Sequence, residues 1–164
     1  MEKTLQFIID GSAVKRFHTV TTITQDTVGH HSHNVAMLCL LMDITASKAL
    51  MMAALFHDLS EHITGDIPSP AKREYGILSQ VSDLEESLMR EAGVVFPSLN
   101  EKDKRTLKLA DIASGAIFCA TEVNLGNIKL KKIFDTYMSY ARQMVLKGRE
   151  RLLFDVIEEM INDK

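Results

Sequence analysis

His57 and Asp58 stand side by side at the end of an apolar run, and Glu61 follows three residues after Asp58. Imidazoles and carboxylates are the side chains that ligate metals and move protons. Spacings of three and four residues would bring these together on one helix. Leu50 and Ala54 continue the same stripe toward the N-terminus, and their composition turns the stripe inward. A carboxylate projecting into a protein without a counter-charge is costly. A divalent cation is the simplest compensation. Two further residues repeat the pattern. His31 lies four residues before Val35 on a second inward face, and Asp111 lies among Leu107, Ala110 and Ser114 on a third. One inward histidine or aspartate alone usually reads as a satisfied core group. Three placements on three separate helices point to a site. Two imidazoles and two carboxylates suit Zn²⁺, Mn²⁺ or Co²⁺.

The elements that must position these groups read as helices throughout. Residues 3–10 form a short helix with Leu5, Ile8 and Ile9 inward, and Gly11-Ser12 interrupts or kinks it. Residues 13–17 add a further turn. The threonine-rich stretch 18–28 lacks helical period and reads as an extended loop with room for a short strand. A helix from Gly29 to about Thr45 presents Val35, Leu38, Cys39 and Met42 inward. The next spans about Ser47 to Thr64 and holds the His57 cluster, closed by Gly65. Asp66 then lies in a loop stiffened by Pro68 and Pro70. A helix covers about 77–92, and residues 93–99 break the pattern. Asn100 caps a long helix running to about Asn124, with Asp103 at its third position. Two amphipathic helices, about 128–146 and 149–161, finish the chain. There is no repeat and no alternating βα pattern, so the expected fold is all-α, one domain over residues 1–164.

Composition narrows the class. The 164 residues suffice for a sizeable core, and a net charge of −3 argues against binding nucleic-acid polymers. Cys39 and Cys119 sit in apolar runs without a Cys-x-x-Cys motif, which reads as two buried thiols in a reducing cytoplasm. No apolar run approaches ~20 residues, so no membrane span is expected. His18, His33 and His62 read as surface or supporting groups, His30 as solvent-facing, and the nine methionines as gap-fillers between helices.

His31, the pair His57-Asp58 and the distant Asp111 resemble the H…HD…D pattern of the HD-domain metal-dependent phosphohydrolases. Residues 28–32 are similar to that family's first-histidine segment, and residues 108–111 to its last-ligand segment. Residues 57–72 resemble the subgroup that holds bacterial YfbR-like 5′-deoxynucleotidases and phage dATP triphosphohydrolases. HD alone is a weak signal, whereas this long segment is specific. The resemblance implies an HD-domain helical bundle with His31, His57, Asp58 and Asp111 as ligands of a divalent ion (Zn, Co, Mn or Mg). It allows a second ion on the substrate phosphates. It makes Glu61 and Asp66 acid/base candidates, Arg16, Lys72 and Lys108 phosphate contacts, and Phe17 and Pro70 sugar or base contacts. Phe17 replaces a tryptophan common among relatives, and His30 an acidic residue.

The implied substrate is a small deoxynucleotide, in the cytoplasm, or a host's cytoplasm for a phage-encoded chain. The implied assembly is a homo-oligomer, dimer or hexamer. The C-terminal helices could supply its interface, and the run Lys129-Leu130-Lys131-Lys132 reads as a solvated face. If Asp58 and Asp111 neutralise the dication, Arg16, Lys72 and Lys108 remain for the substrate. That surplus matches a triphosphate, about −4, better than a monophosphate, about −2. The compact chain agrees, so the expectation is dATP cleaved to deoxyadenosine and triphosphate, with dNMP hydrolysis as the alternative. A cyclic-nucleotide phosphodiesterase and a non-catalytic HD regulatory module are the competing classes. The second typically lacks the ligand positions, which are filled here.

Overall fold

The long helix predicted after Asn100 is the axis of the molecule. In the computed structural model, which describes residues 1–162 except the side chains of Ser69, Pro70 and Asn162, this helix is α7, Glu101–Asn124. The Asn100 side chain accepts a hydrogen bond from the Asp103 N–H at 2.8 Å, the cap expected. Its buried residues are mostly small: Ala110, Ala113, Ser114, Gly115, Ala116 and Ala120. Small side chains let neighbouring helices approach closely. Gly115 shows how closely: a Cβ there would fall 2.5 Å from the Tyr137 ring.

Around α7 pack α2 (Val28–Met42), α3 (Lys48–Phe56), α8 (Lys131–Gln143) and α9 (Arg149–Asn162). Leu50, Leu109, Phe154 and Ile157 fill the space between them. Full burial of each such side chain contributes about 1.5–3 kcal/mol. A second, smaller cluster joins Phe7 on α1 (Glu2–Ser12) to Leu59, Met89 on α6 (Leu78–Glu91), Ala92 and Val94. The two clusters meet across residues 57–60, where Ala54 belongs to one and Leu59 to the other.

That junction departs from the sequence expectation. The helix expected to continue to Thr64 ends at Phe56, and a fresh turn, α4 (Glu61–Thr64), begins after a tight connection. The Leu59 N–H bonds the Phe56 carbonyl and the Glu61 N–H bonds the Asp58 carbonyl, both one residue shorter than α-helical pairing. The tightening lets Leu59 turn toward the second cluster while Asp58 stays with the first.

Other expectations change in detail. In α1 the buried residues are Phe7 and Gly11, whereas Leu5 and Ile9 are exposed. The helix runs through Gly11, whose missing Cβ accommodates the Leu59 backbone. Residues 13–17 are not helical, and Lys15 instead forms an isolated antiparallel bridge with Thr27. The stretch after Gly65 contains a short helix, α5 (Ser69–Glu74), with proline in its first turn. The fold is all-α, and among the described residues no helix is long and apolar enough to cross a membrane.

Candidate metal centre

Three helices deliver the polar groups to one point. His31 comes from the first turn of α2 and is fully buried. His57 is the C-cap of α3, Asp58 follows it, and Asp111 lies on α7. His31 Nε2 is 3.6 Å from Asp58 Oδ2 and 3.3 Å from Asp111 Oδ1, and His57 Nε2 is 3.4 Å from Asp58 Oδ2. His31, His57 and Asp58 each offer a ligand atom within 4.8 Å of the others. Donors about 2.1 Å from a common ion stand about 3.0–3.4 Å apart. The spacing therefore suits a divalent cation.

The hydrogen bonding agrees. His57 Nδ1 donates to the Ala54 carbonyl at 3.0 Å, which leaves its Nε2 as a bare lone pair. His31 Nδ1 is 3.0 Å from Ser114 Oγ. Both Nε2 atoms are buried and neither has a well-aligned hydrogen-bond partner. A native interior seldom leaves such atoms unmatched. Burial, then the nearby Arg16 charge, lowers the His31 pKa and keeps its ring neutral, the form that ligates metals. For Asp58, burial opposes ionisation, but His57, Arg16 and His31 outweigh it and hold the carboxyl below its usual range. Asp111 is held well below that range, against burial, by Lys108 and His31.

A cleft of about 260 Å³ opens onto this cluster. Arg16, Phe17, Glu61, Asp66, Lys72 and Lys108, all expected at the site, line it together with Asp58 and Asp111. The Pro70 side chain lies outside the described residues. Glu61 is buried, and its Oε2 has no hydrogen-bond partner. Burial, then the charges of Asp58 and Asp66, push its pKa up to about 10, so it is protonated at neutral pH.

The cations do not stand free as expected. Arg16 Nη1 donates to Asp58 Oδ2 at 2.7 Å, and Arg16 Nε lies 3.3 Å from Asp26 Oδ2. Lys72 pairs with Glu85 at 3.1 Å, and Lys108 with Asp111 at 2.8 Å. Asp58 and Asp111 already offset the ion in the charge count from sequence, so the further carboxylates are Asp26 at Arg16 and Glu85 at Lys72, which cut the surplus of three to about one. Phe17 adopts φ 55°, a left-handed conformation that only a constrained non-glycine residue keeps, and stacks on Phe118 with centroids 4.6 Å apart.

Sequence reasoning missed one wall of the cleft. Ile133, Thr136, Tyr137 and Tyr140 form a stripe on α8 at helical spacing and face the cleft, joined by Arg73. The spacing was visible, but an amphipathic stripe does not say whether it covers a core, a subunit or a ligand. Asp26 and Glu85 were missed because their partners, Arg16 and Lys72, lie on separate elements rather than at helical spacing.

Solved structures share this architecture. One is the HD phosphohydrolase DatZ of cyanophage S-2L, bound to dA and one catalytic Zn²⁺ ion. It has a TM-score of 0.70 and 18% identity, with 97% of this chain and 96% of that one aligned. An HD-domain phosphohydrolase from Listeria innocua gives a TM-score of 0.77 at 18% identity, with 99% and 90% covered. At sequence level the chain is 27% identical to 5′-deoxynucleotidases of Yersinia pestis (strain Pestoides F) and Yersinia pseudotuberculosis (serotype O:1b), over 70% of each chain. The family model described as 5′-deoxynucleotidase YfbR-like matches residues 4–150, and the chain belongs to that family of HD-domain deoxynucleotide phosphohydrolases.

Proposed function

We propose that this chain is a 5′-deoxynucleotidase, hydrolysing a 2′-deoxynucleoside 5′-monophosphate to the deoxynucleoside and inorganic phosphate. The observation that carries the reading is the convergence of two unpartnered imidazole nitrogens with Asp58 beside a cleft that also holds the buried Glu61. His31, His57, Asp58 and Asp111 would hold a divalent ion, whose bound form supplies Lewis acidity and a nucleophile from water at neutral pH. Its identity among Zn, Co, Mn and Mg is open to metal analysis.

The chain's own residues supply the rest. Arg16, tethered by Asp26 and Asp58, offers the remaining donors of its fork to phosphoryl oxygens. Lys108 and Lys72 add point charges on either side. The leaving group is a sugar 5′-oxygen, which departs as an alcohol only if it gains a proton. Glu61 is buried at the same cleft, and burial favours its protonated form, so it is the proton donor in this reading. Asp66, part-exposed at the cleft, holds the sugar hydroxyl. Phe17 presents a flat ring to the deoxyribose.

The family model and the names of the Yersinia relatives favour this nucleotidase reading over the dATP triphosphohydrolase expected from sequence. Asp26 beside Arg16 and Glu85 beside Lys72 support the same choice, because they reduce the charge surplus on which the triphosphate argument rested. The test is to incubate dAMP, dGMP, dTMP, dCMP and the corresponding triphosphates with metal-reconstituted protein and identify the inorganic product. Phosphate from a dNMP, with dNTPs untouched, is expected. Intact triphosphate released from dATP would overturn the reading.

A further inference from the structure

Four cations line the cleft, and three are matched by carboxylates. The fourth, Arg73, has no carboxylate partner among the described residues. Its guanidinium instead lies over the Tyr140 ring, 4.7 Å from the centroid. Tyr140 sits one turn beyond Tyr137 on α8, about 5 Å along the axis. Tyr137 belongs to the reacting end: burial raises its pKa, with Arg16, Asp111 and Asp66 as its charged neighbours. Arg73 and Tyr140 therefore mark the end of the cleft farther from the carboxylates. Ile112 and Ile133 add apolar wall to the same cleft.

With the phosphate at the reacting end and the sugar beside Phe17, the part of a nucleotide left for this far end is the base. We propose that Arg73, seated over Tyr140, is a base-reading residue that selects keto bases, guanine first. The proposal rests on the nucleotidase reading and names its preferred substrates. A guanidinium seated over an aromatic ring still offers the free N–H donors of its planar fork, and it has no acceptor. Guanine offers two adjacent acceptors, O6 and N7, that match this fork, and thymine offers O4. Adenine turns an N6 amino donor toward the same place, and cytosine an N4 amino donor, so each sets donor against donor.

The experiment measures kcat/KM for dGMP, dTMP, dAMP, dCMP and 2-deoxyribose 5-phosphate, with calorimetric binding of dGMP and dAMP alongside. The proteins are the wild type, Arg73→Gln, Arg73→Lys and Tyr140→Leu. The wild type is expected to favour dGMP over dAMP about tenfold, as a bidentate contact does. Arg73→Gln should collapse that ratio toward one, and Arg73→Lys should not restore it, because a point charge cannot make the fork. The loss on dGMP should exceed that on the base-free sugar phosphate by about the same factor. Equal use of all four bases by the wild type, or a dGMP/dAMP ratio unmoved by Arg73→Gln, overturns the proposal. An equal loss on 2-deoxyribose 5-phosphate also overturns it, assigning Arg73 to the phosphate. If no monophosphate is hydrolysed, the nucleotidase reading falls, and the calorimetric dGMP/dAMP ratio still decides the role of Arg73.

Discussion

Two carboxylates of helix α7, Asp111 and Glu122, stand eleven residues or about three turns apart. They have opposite characters. Glu122 is fully buried and fully answered: the backbone N–H groups of Ile23 and Thr24 donate to it at 2.7 Å, the Thr24 hydroxyl at 2.6 Å and the Asn127 amide at 2.9 Å. Asp111 shares its surroundings with two imidazole nitrogens that have no hydrogen-bond partner and with Glu61, whose Oε2 has none. One end of the helix has spent its polar capacity on holding the threonine-rich loop to the bundle. The other has capacity left over. Unused bonding capacity, more than the presence of charge, distinguishes a site from a structural anchor.

The strongest way to break that contrast is Asp111→Ala. If the leftover capacity belongs to a metal centre, the variant loses bound metal and turnover together, with activity down by 10³ or more, on the order of removing a group from a catalytic unit. Metal analysis of the purified variant is the check, and full activity with metal retained would remove Asp111 from the ligand set. Glu61→Gln should behave differently. It keeps the shape of the side chain but loses the proton it donates, so turnover falls about 10²-fold while the metal stays. Loss of metal in that variant would make Glu61 a ligand instead.

At the other end, Glu122→Gln should leave metal content alone and cost stability. Burial opposes ionisation of Glu122, but the donors from Thr24, Asn127 and Ile23 outweigh it and bring the pKa down to about 2. Against an ordinary value near 4.5 this contributes about 3 kcal/mol at neutral pH. That corresponds to roughly 6–12 °C in Tm for a domain of this size. Because the folded pKa is the lower one, the contribution is fully present above about pH 4.5 and fades as pH falls toward 2. The gap between the melting curves of the two proteins should therefore be narrower at pH 3 than at pH 7. A gap as wide at pH 3 as at pH 7 would mean that the ionised carboxylate is not its source.

The two ends were not equally legible in the sequence. His31, His57, Asp58 and Asp111 sit on or beside long helices, where an inward position can be counted from apolar neighbours, and the structure brings all four together. The Asn100 cap was readable because its partner, Asp103, is local. Glu122 escaped notice because every donor but Asn127 lies about a hundred residues away, in a stretch without period. Glu85 and Asp26 escaped for a related reason: counting cations in a sequence does not count the carboxylates that the fold lays against them from a neighbouring element. The break at residues 57–60 was hidden because an apolar run gives no local signal that its last turn tightens. The buried thiols were plain from their apolar neighbours. Cys39 and Cys119 are fully buried, and burial pushes both pKa values up to about 12, so neither is a nucleophile at neutral pH.

The smallest effect expected concerns the loop that Glu122 anchors, because its N-terminal neighbour Phe17 faces the cleft. Phe17 is pinned twice, by a left-handed backbone at φ 55° and by the Phe118 ring stacked at 4.6 Å and 24°. A ring held in this way cannot retreat from a ribose 2′-hydroxyl. The hydroxyl would surrender its water and find no acceptor on a hydrocarbon face, a cost of about 1–2 kcal/mol. That corresponds to a preference of about five- to thirtyfold for deoxyribose. Phe17→Ala removes the ring, admits water beside C2′ and should narrow the dAMP/AMP ratio in kcat/KM by about fivefold. Phe118→Leu tests the same idea from behind: it leaves Phe17 in place but frees its ring, and should narrow the ratio less. If neither variant moves the ratio, sugar selection lies elsewhere in the cleft, and the strain at Phe17 serves only to turn the chain.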